Sequence, residues 1–299
     1  MRLGWAPSLR LAADGYEAHV SPMAGARVSR LVWQSRGAAR DLIVPTAPSA
    51  AAFDPDHWPK CGAFPMVPYT NRLLDGRVWW AGRSWQTRVA PGQKHGVHGF
   101  GHRVPWHVES HTSSHAALVL EHAQASPEWP WPFAARIEYG LSAQGLSVSI
   151  SVRNTADEPA PASIGWHPYF ASGWRSAADH PARSIHDLGG DGLAYPRDAD
   201  PSAAPPVARD GVAHTFVFEN APSPWKLRSA HGEVLTLGHD GLHVVYHQPA
   251  CRDYECVEPI TALPGTMTRA AEAADGGISL SAGGIRHLHC RLSASIEEN

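Results

Sequence analysis

The sequence predicts an all-β protein, a sandwich or a barrel, and three observations carry that expectation. Its strongest periodicity is two: Leu146 to Asn154 alternates apolar and polar residues almost without a break, as a strand with one buried face does. Shorter stretches of similar character recur along the chain. The 27 glycines and 26 prolines supply turns between them, and only two short segments hint at helix. The pattern contains no run of alternating strands and helices, so a parallel α/β sheet is not expected.

Taken in order, the strand candidates are Arg27 to Trp33, Ser84 to Val89, Ala116 to His122, Arg136 to Leu141, Leu146 to Asn154, Thr215 to Phe218, Val234 to Leu237, Leu242 to His247 and Ile285 to Leu292. Gly, Pro, Asp and Asn clusters separate them. The helix hints are Ser49 to Phe53 and Met267 to Ala274. Ser176 to Asp210 has few apolar anchors and reads as a long surface excursion. No shift in composition marks a boundary, so residues 1–299 are expected to form a single β domain.

Charge and cysteine usage narrow the function classes. A net charge of -3 and a pI near 6.7 leave no basic footprint for nucleic acid or an anionic membrane. Met1 to Val20 lacks the apolar core of a signal peptide, and no apolar run is long enough to span a bilayer. Cys61, Cys251, Cys256 and Cys290 form no Cys-x-x-Cys pair, and free thiols in a soluble cytoplasmic protein are expected. Lysine is scarce, at Lys60, Lys94 and Lys226, while 12 tryptophans offer flat faces suited to a core or a polyol cleft.

Several stretches can carry chemistry. In Ile164-Gly165-Trp166-His167-Pro168-Tyr169-Phe170, the proline biases His167 toward an extended backbone and so sets the direction of its imidazole. Asn71 and Arg72 stand side by side after a proline-rich run and can hold a hydroxyl or a developing oxyanion. Glu258, between Val257 and Pro259, is placed for desolvation that raises a carboxyl pKa toward general-base values. His98 sits in a glycine-spaced histidine loop, His95 to Arg103. Its His-x-x-His spacing admits a zinc reading, but no cysteine partner or His-Glu-x-x-His helix accompanies it. The pairs His287/His289 and His243/His247 are adequately explained as core or surface residues. An imidazole, a carboxylate, an Asn-Arg pair and a second histidine suit reversible proton transfer at a small hydroxylated molecule. No nucleophile elbow, dinucleotide fingerprint or P-loop is present.

The order Pro-Tyr-x-Asn-Arg (68–72), His-Gly (98–99), Gly-x-His-Pro-Tyr-Phe (165–170) and Glu-Pro-x-Thr (258–261) resembles the aldose 1-epimerases, or mutarotases. The resemblance spans Pro68 to Gly265, roughly two-thirds of the chain. It implies a large antiparallel β-sandwich of the galactose mutarotase-like supersandwich type, with a sugar site on a concave sheet. It implies His167 as general acid, Glu258 as general base, and Asn71, Arg72 and His98 as sugar-binding residues. The implied reaction interconverts the α and β anomers of a free hexose, with an aldose as the partner molecule and no metal or organic cofactor.

Two departures from the family pattern bear on the substrate. An aspartate expected before a Thr-Phe strand start is replaced by Ala213 and His214, with Asp210 the nearest upstream carboxylate. The loop His98 to Trp106 resembles that of hexose-6-phosphate 1-epimerases, yet His102 stands where those enzymes have arginine and Arg103 follows one residue later. Dense positive charge is what a phosphate needs. Hexose-6-phosphate epimerisation and non-catalytic sugar binding on the same fold are the alternatives. A polysaccharide-cleaving β-sandwich enzyme lacks a clear residue set here.

Overall fold

Two antiparallel sheets face one another across a core of aromatic and branched side chains in a computed structural model that describes residues 2–47, 51–176, 184–189, 193–196, 212–221, 223–251, 253–269 and 277–297. Eight described strands form one sheet, in the order His107–His111, His115–His122, Phe133–Ser142, Gly145–Asn154, Ile285–Ile296, Glu233–His239, Trp225–Arg228 and Arg175–Ser176. The period-two segment of the sequence lies at its centre, and Val148, Ile150 and Val152 point into the core.

The second sheet runs Leu9–Ala13, Tyr16–Ser21, Arg27–Ser35, Ala63–Met66, Gly165–Ala171, Tyr254–Ile260, His243–Gln248, His214–Glu219, Ser184–Leu188 and Ala194–Pro196, with Ala38–Asp41 pairing off this path onto Arg27–Ser35. The sheets are tied by side chains that cross between them. Tyr139 donates its hydroxyl to the Ala26 carbonyl at 2.7 Å, and Tyr16 donates to the Ala294 carbonyl at 3.1 Å. Trp225 of the first sheet packs on Phe218 and Tyr246 of the second. Buried hydroxyls of this kind need partners, and these have them.

All nine strand candidates fall on observed strands, although the Ser84 to Val89 candidate meets its strand, Arg83–Gln86, only over residues 84–86. Of the helix hint at Ser49 to Phe53, Ser49 and Ala50 lie outside the described residues and the rest is corrected: Ala52–Phe53 is a short strand paired with Leu3–Gly4, where Phe53 packs on Trp5. Met267 and Thr268 form a turn, and the rest of that hint lies largely outside the described residues. Within the Ser176 to Asp210 excursion, Ser176 ends the edge strand of the first sheet, and Ser184–Leu188 and Ala194–Pro196 join the edge of the larger sheet; 177–183, 190–192 and 197–210 lie outside the described residues. Among the described residues no helix is long and apolar enough to cross a membrane.

Candidate active site

Strand alternation gathers the polar residues on the outer face of the larger sheet. On Gly165–Ala171, Trp166 and Phe170 enter the core between the sheets, while His167 and Tyr169 point the other way. On Tyr254–Ile260, Val257 is in that core and Glu258 lies on the outer face. Val245, His247 and Thr215 extend the same face onto the next two strands. The registers Gly165↔Ile260 and Tyr169↔Cys256 set His167 opposite Glu258. Pairing of these strands runs from Ala171 to Tyr169 and resumes at Gly165; in between, Pro168 and Pro259 have no N–H to donate. His167 Nε2 lies 3.2 Å from Glu258 Oε1.

Three segments arch over this face and close a cavity of about 210 Å³: Trp58 to Lys60, Asn71–Arg72, and Gln93 to His98. The His98 turn is fixed by its backbone. His98 N–H donates to the Asn71 carbonyl at 2.7 Å, and the amides of Phe100 and Gly101 both donate to the Val67 carbonyl. Asn71 and His98 hold left-handed φ values of 55° and 59°, conformations a non-glycine residue adopts at a cost. Gly99 is also left-handed, and a Cβ there would overlap the Val67 carbonyl oxygen. The His98 ring stands edge-on to His167 at 4.9 Å, and Phe64 and Tyr169 stack against the His167 ring at 4.7 and 4.6 Å. Trp58 Nε1 in turn donates to the Tyr169 hydroxyl at 3.2 Å.

Burial governs the protonation of these groups. His167 and Glu258 are 5% and 3% exposed. Desolvation holds His167 and His98 well below the usual histidine range. It brings His247 down to about 4. The same effect pushes the Glu258 carboxyl up to about 8, against the opposing pull of Arg72 and Lys60. Both shifts favour a neutral pair at rest, one proton shared across 3.2 Å. Asn71 Oδ1, His98 Nδ1, His167 Nδ1 and Glu258 Oε2 are buried without a hydrogen-bond partner among the described residues.

All five residues expected from the sequence, Asn71, Arg72, His98, His167 and Glu258, line this one cavity. Others expected or weighed do not. His95 accepts the Asp75 amide at 3.0 Å and faces a separate crevice, so the His95-x-x-His98 pair does not converge. Among the described residues, the group able to gather round a metal ion is instead His98, His167 and Glu258, whose ligand atoms lie within 4.8 Å of one another. Arg103 is held by Asp56 at 3.1 Å, Glu128 at 2.9 Å and the Gly99 carbonyl, pointing away from the cavity lining. His102 is enclosed between Phe64 and Trp58. His287 and His289 stack together on the solvent face of Ile285–Ile296.

His247, set aside in the sequence with His243 as a core or surface residue, lines the cavity and shares a 2.8 Å hydrogen bond with Thr215; its period-two relation to Val245 on a predicted strand was the available signal. Lys60 lies in a proline-rich segment with no motif; its rarity was the only hint.

A sequence model of the family described as aldose 1-epimerase matches residues 7–280, and the chain belongs to that family. An Escherichia coli K12 relative named Uncharacterized protein YphB is 32% identical over 130 residues, which is 43% of this chain and 41% of that protein's length. A galactose mutarotase-like protein from Clostridium acetobutylicum superposes with a TM-score of 0.81 at 18% identity, covering 96% of this chain and 95% of its own. Galactose 1-epimerase from Lactobacillus acidophilus gives 0.69 at 15% identity over 95% and 92% of the two chains. Likeness at these identities carries the fold, a galactose mutarotase-like β-sandwich.

Proposed function

We propose that residues 1–299 act as one domain that interconverts the α and β anomers of a free hexose by acid–base ring opening and closure. The observation that carries this reading is the buried His167–Glu258 pair, 3.2 Å apart on the floor of a cavity. Glu258 takes the proton of the anomeric hydroxyl while His167 delivers one to the ring oxygen. The C1–ring-oxygen bond breaks as the C1 carbonyl forms. Rotation about C1–C2 in the open aldehyde then presents the other face, and closure runs with the roles of the two groups exchanged.

The working form needs the shared proton on His167. Desolvation favours it on Glu258, so transfer across the pair costs energy, and the positive charges of Arg72 and Lys60 offset that cost by stabilising the carboxylate. The ring edge of His98 and the stacked Phe64 and Tyr169 restrict the His167 imidazole to one orientation. Asn71, Arg72 and His98 line the wall where hydroxyls would bind, and the partnerless Asn71 Oδ1 and His98 Nδ1 beside the Arg72 guanidinium suit a polyol. The reaction cleaves and re-forms one C–O bond with proton transfer and no net oxidation or group transfer, so acid–base groups suffice for it.

Against the phosphorylated-sugar alternative stands Arg103, whose charge is already matched by Asp56 and Glu128. Against a purely binding role stands the retention of both proton-transfer groups in contact. The test dissolves crystalline α-D-glucose, α-D-galactose or another single anomer and follows optical rotation with and without protein. Equilibration well above the buffer rate is expected, unchanged by a chelator. Buffer-rate equilibration for every aldose would sink the reading, and loss of activity with chelator would shift it to a metal held by His98, His167 and Glu258.

A further inference from the structure

Two of the three segments that arch over the cavity are rooted in one cluster of four charges that lies outside it. Asp56 precedes the Trp58 to Lys60 segment, Arg88 precedes the Gln93 to His98 segment, and Arg103 follows it. Arg103 donates to Asp56 at 3.1 Å, to Glu128 at 2.9 Å and to the Gly99 carbonyl at 3.2 Å, with its side chain only 9% exposed. Arg88 engages both Asp56 oxygens in a fork, one at 3.0 Å, and lies 3.3 Å from Glu128. The Asp56 end is itself fixed, because Asp54 accepts the Asp56 amide at 2.9 Å and pairs with His57 at 3.0 Å. None of the four charged residues lines the cavity.

Both arms of the cluster end on the His167 ring. Through the Gly99 carbonyl, Arg103 holds the turn that carries His98, whose ring edge stands 4.9 Å from His167. The amides of that turn bind the Asn71 and Val67 carbonyls, and Arg103 adds a tie through a carbonyl of the turn itself. Through Asp56, the same guanidinium holds the Pro55–His57 turn and with it Trp58. Trp58 Nε1 donates to the Tyr169 hydroxyl at 3.2 Å, and Tyr169 stacks on His167 at 4.6 Å. Accepting the anomer-interconverting reading above, we infer that the quartet Asp56, Arg88, Arg103 and Glu128 is a positioning device for the reacting pair. Arg103 joins its two arms and serves the reaction without touching the sugar. Isolated exposed ion pairs hold little, but these form a closed network, bidentate at Asp56, around a guanidinium shielded from water. Proton transfer is sensitive to small displacements of the groups involved, so loosening these roots acts on the rate before it acts on the fold.

Two measurements on Arg103→Gln and Asp56→Asn test this, one of them independent of turnover. Hydrogen exchange without sugar reads the turn directly. The amides of His98, Phe100 and Gly101 are expected to exchange about tenfold faster or more, while those of the core strand Gly145–Asn154 keep their native protection. Anomer exchange by NMR then gives kcat and KM well below the melting temperature, with kcat expected to fall about tenfold or more. Arg103→Lys should restore part of the rate, since an ammonium can meet one acid but cannot span both acids and the Gly99 carbonyl. The double variant should lose no more than the worse single one, because the quartet acts as a unit. Arg40→Gln, which breaks the Arg40–Glu233 pair away from the cavity, should leave both measurements at native values. Native kcat and native turn protection in Arg103→Gln overturn the inference, and so does loosening spread equally over turn and core. A native protein that exchanges no anomers would remove the epimerase reading instead, and turn protection alone would then decide whether the quartet holds the His98 wall.

Discussion

At the scale of single residues the protein is organised around one proton shared by two buried groups. Such a pair titrates as a unit. Adding a second proton is opposed by the desolvation of His167, and removing the last by the desolvation of Glu258. A bell-shaped pH profile of kcat/KM follows, its acid limb below the ordinary histidine range and its alkaline limb near 8. A rate that climbs steadily through pH 9 would contradict it. The same burial has a cost in stability. The Glu258 carboxyl keeps its proton in the folded protein up to about 8, whereas the unfolded chain releases it near the ordinary carboxylate value. Folding therefore holds the extra proton in that window, and stability falls as pH rises, by at most about 1.4 kcal/mol per unit. Glu258→Gln removes this penalty. Its melting temperature relative to the native protein should rise between pH 5 and 8, which thermal melts across that range would check. A gap that closes with rising pH would refute the desolvated-carboxyl account.

At the scale of elements, the reading of the sequence succeeded where strands alternate and failed where the site lies. Gly145–Asn154 and Phe133–Ser142 show one buried and one less buried face, so period two was visible in them. Gly165–Ala171 and Tyr254–Ile260 are covered on both faces, and each carries a proline, which ordinarily speaks against a central strand. Their residues were legible through motif, not periodicity. The prolines fall where His167 meets Glu258, a place where backbone pairing gives way to side-chain contact. The left-handed turn at His98–Gly99 is the other element the site depends on. Gly99→Ala would drive a Cβ into the Val67 carbonyl and displace His98 from its place beside His167. A loss of more than about 1 kcal/mol in chemical denaturation is expected, with at least a tenfold loss in kcat/KM. Native stability and rate in that variant would show that the turn has slack.

At the scale of the whole molecule, two sheets with a shared aromatic core hold a rigid floor, and the covering segments 58–60, 71–72 and 93–98 supply the walls. The fold class followed from alternation and turn composition. The position of Lys60 and His247 did not, because their neighbourhood is made by strands and loops distant in sequence. All five expected site residues meet in one cavity although they span positions 71 to 258, which only the sheet order Ala63–Met66, Gly165–Ala171, Tyr254–Ile260 brings about. The central claim is that the pair at its floor interconverts anomers. It is tested most directly by NMR exchange between the α and β signals of the best-turned-over aldose at neutral pH, in the native protein, His167→Ala and Glu258→Gln. Each variant is expected to fold and to lose about 10²- to 10⁴-fold in rate at saturating sugar. A folded variant of either kind that keeps near-native exchange would contradict the account.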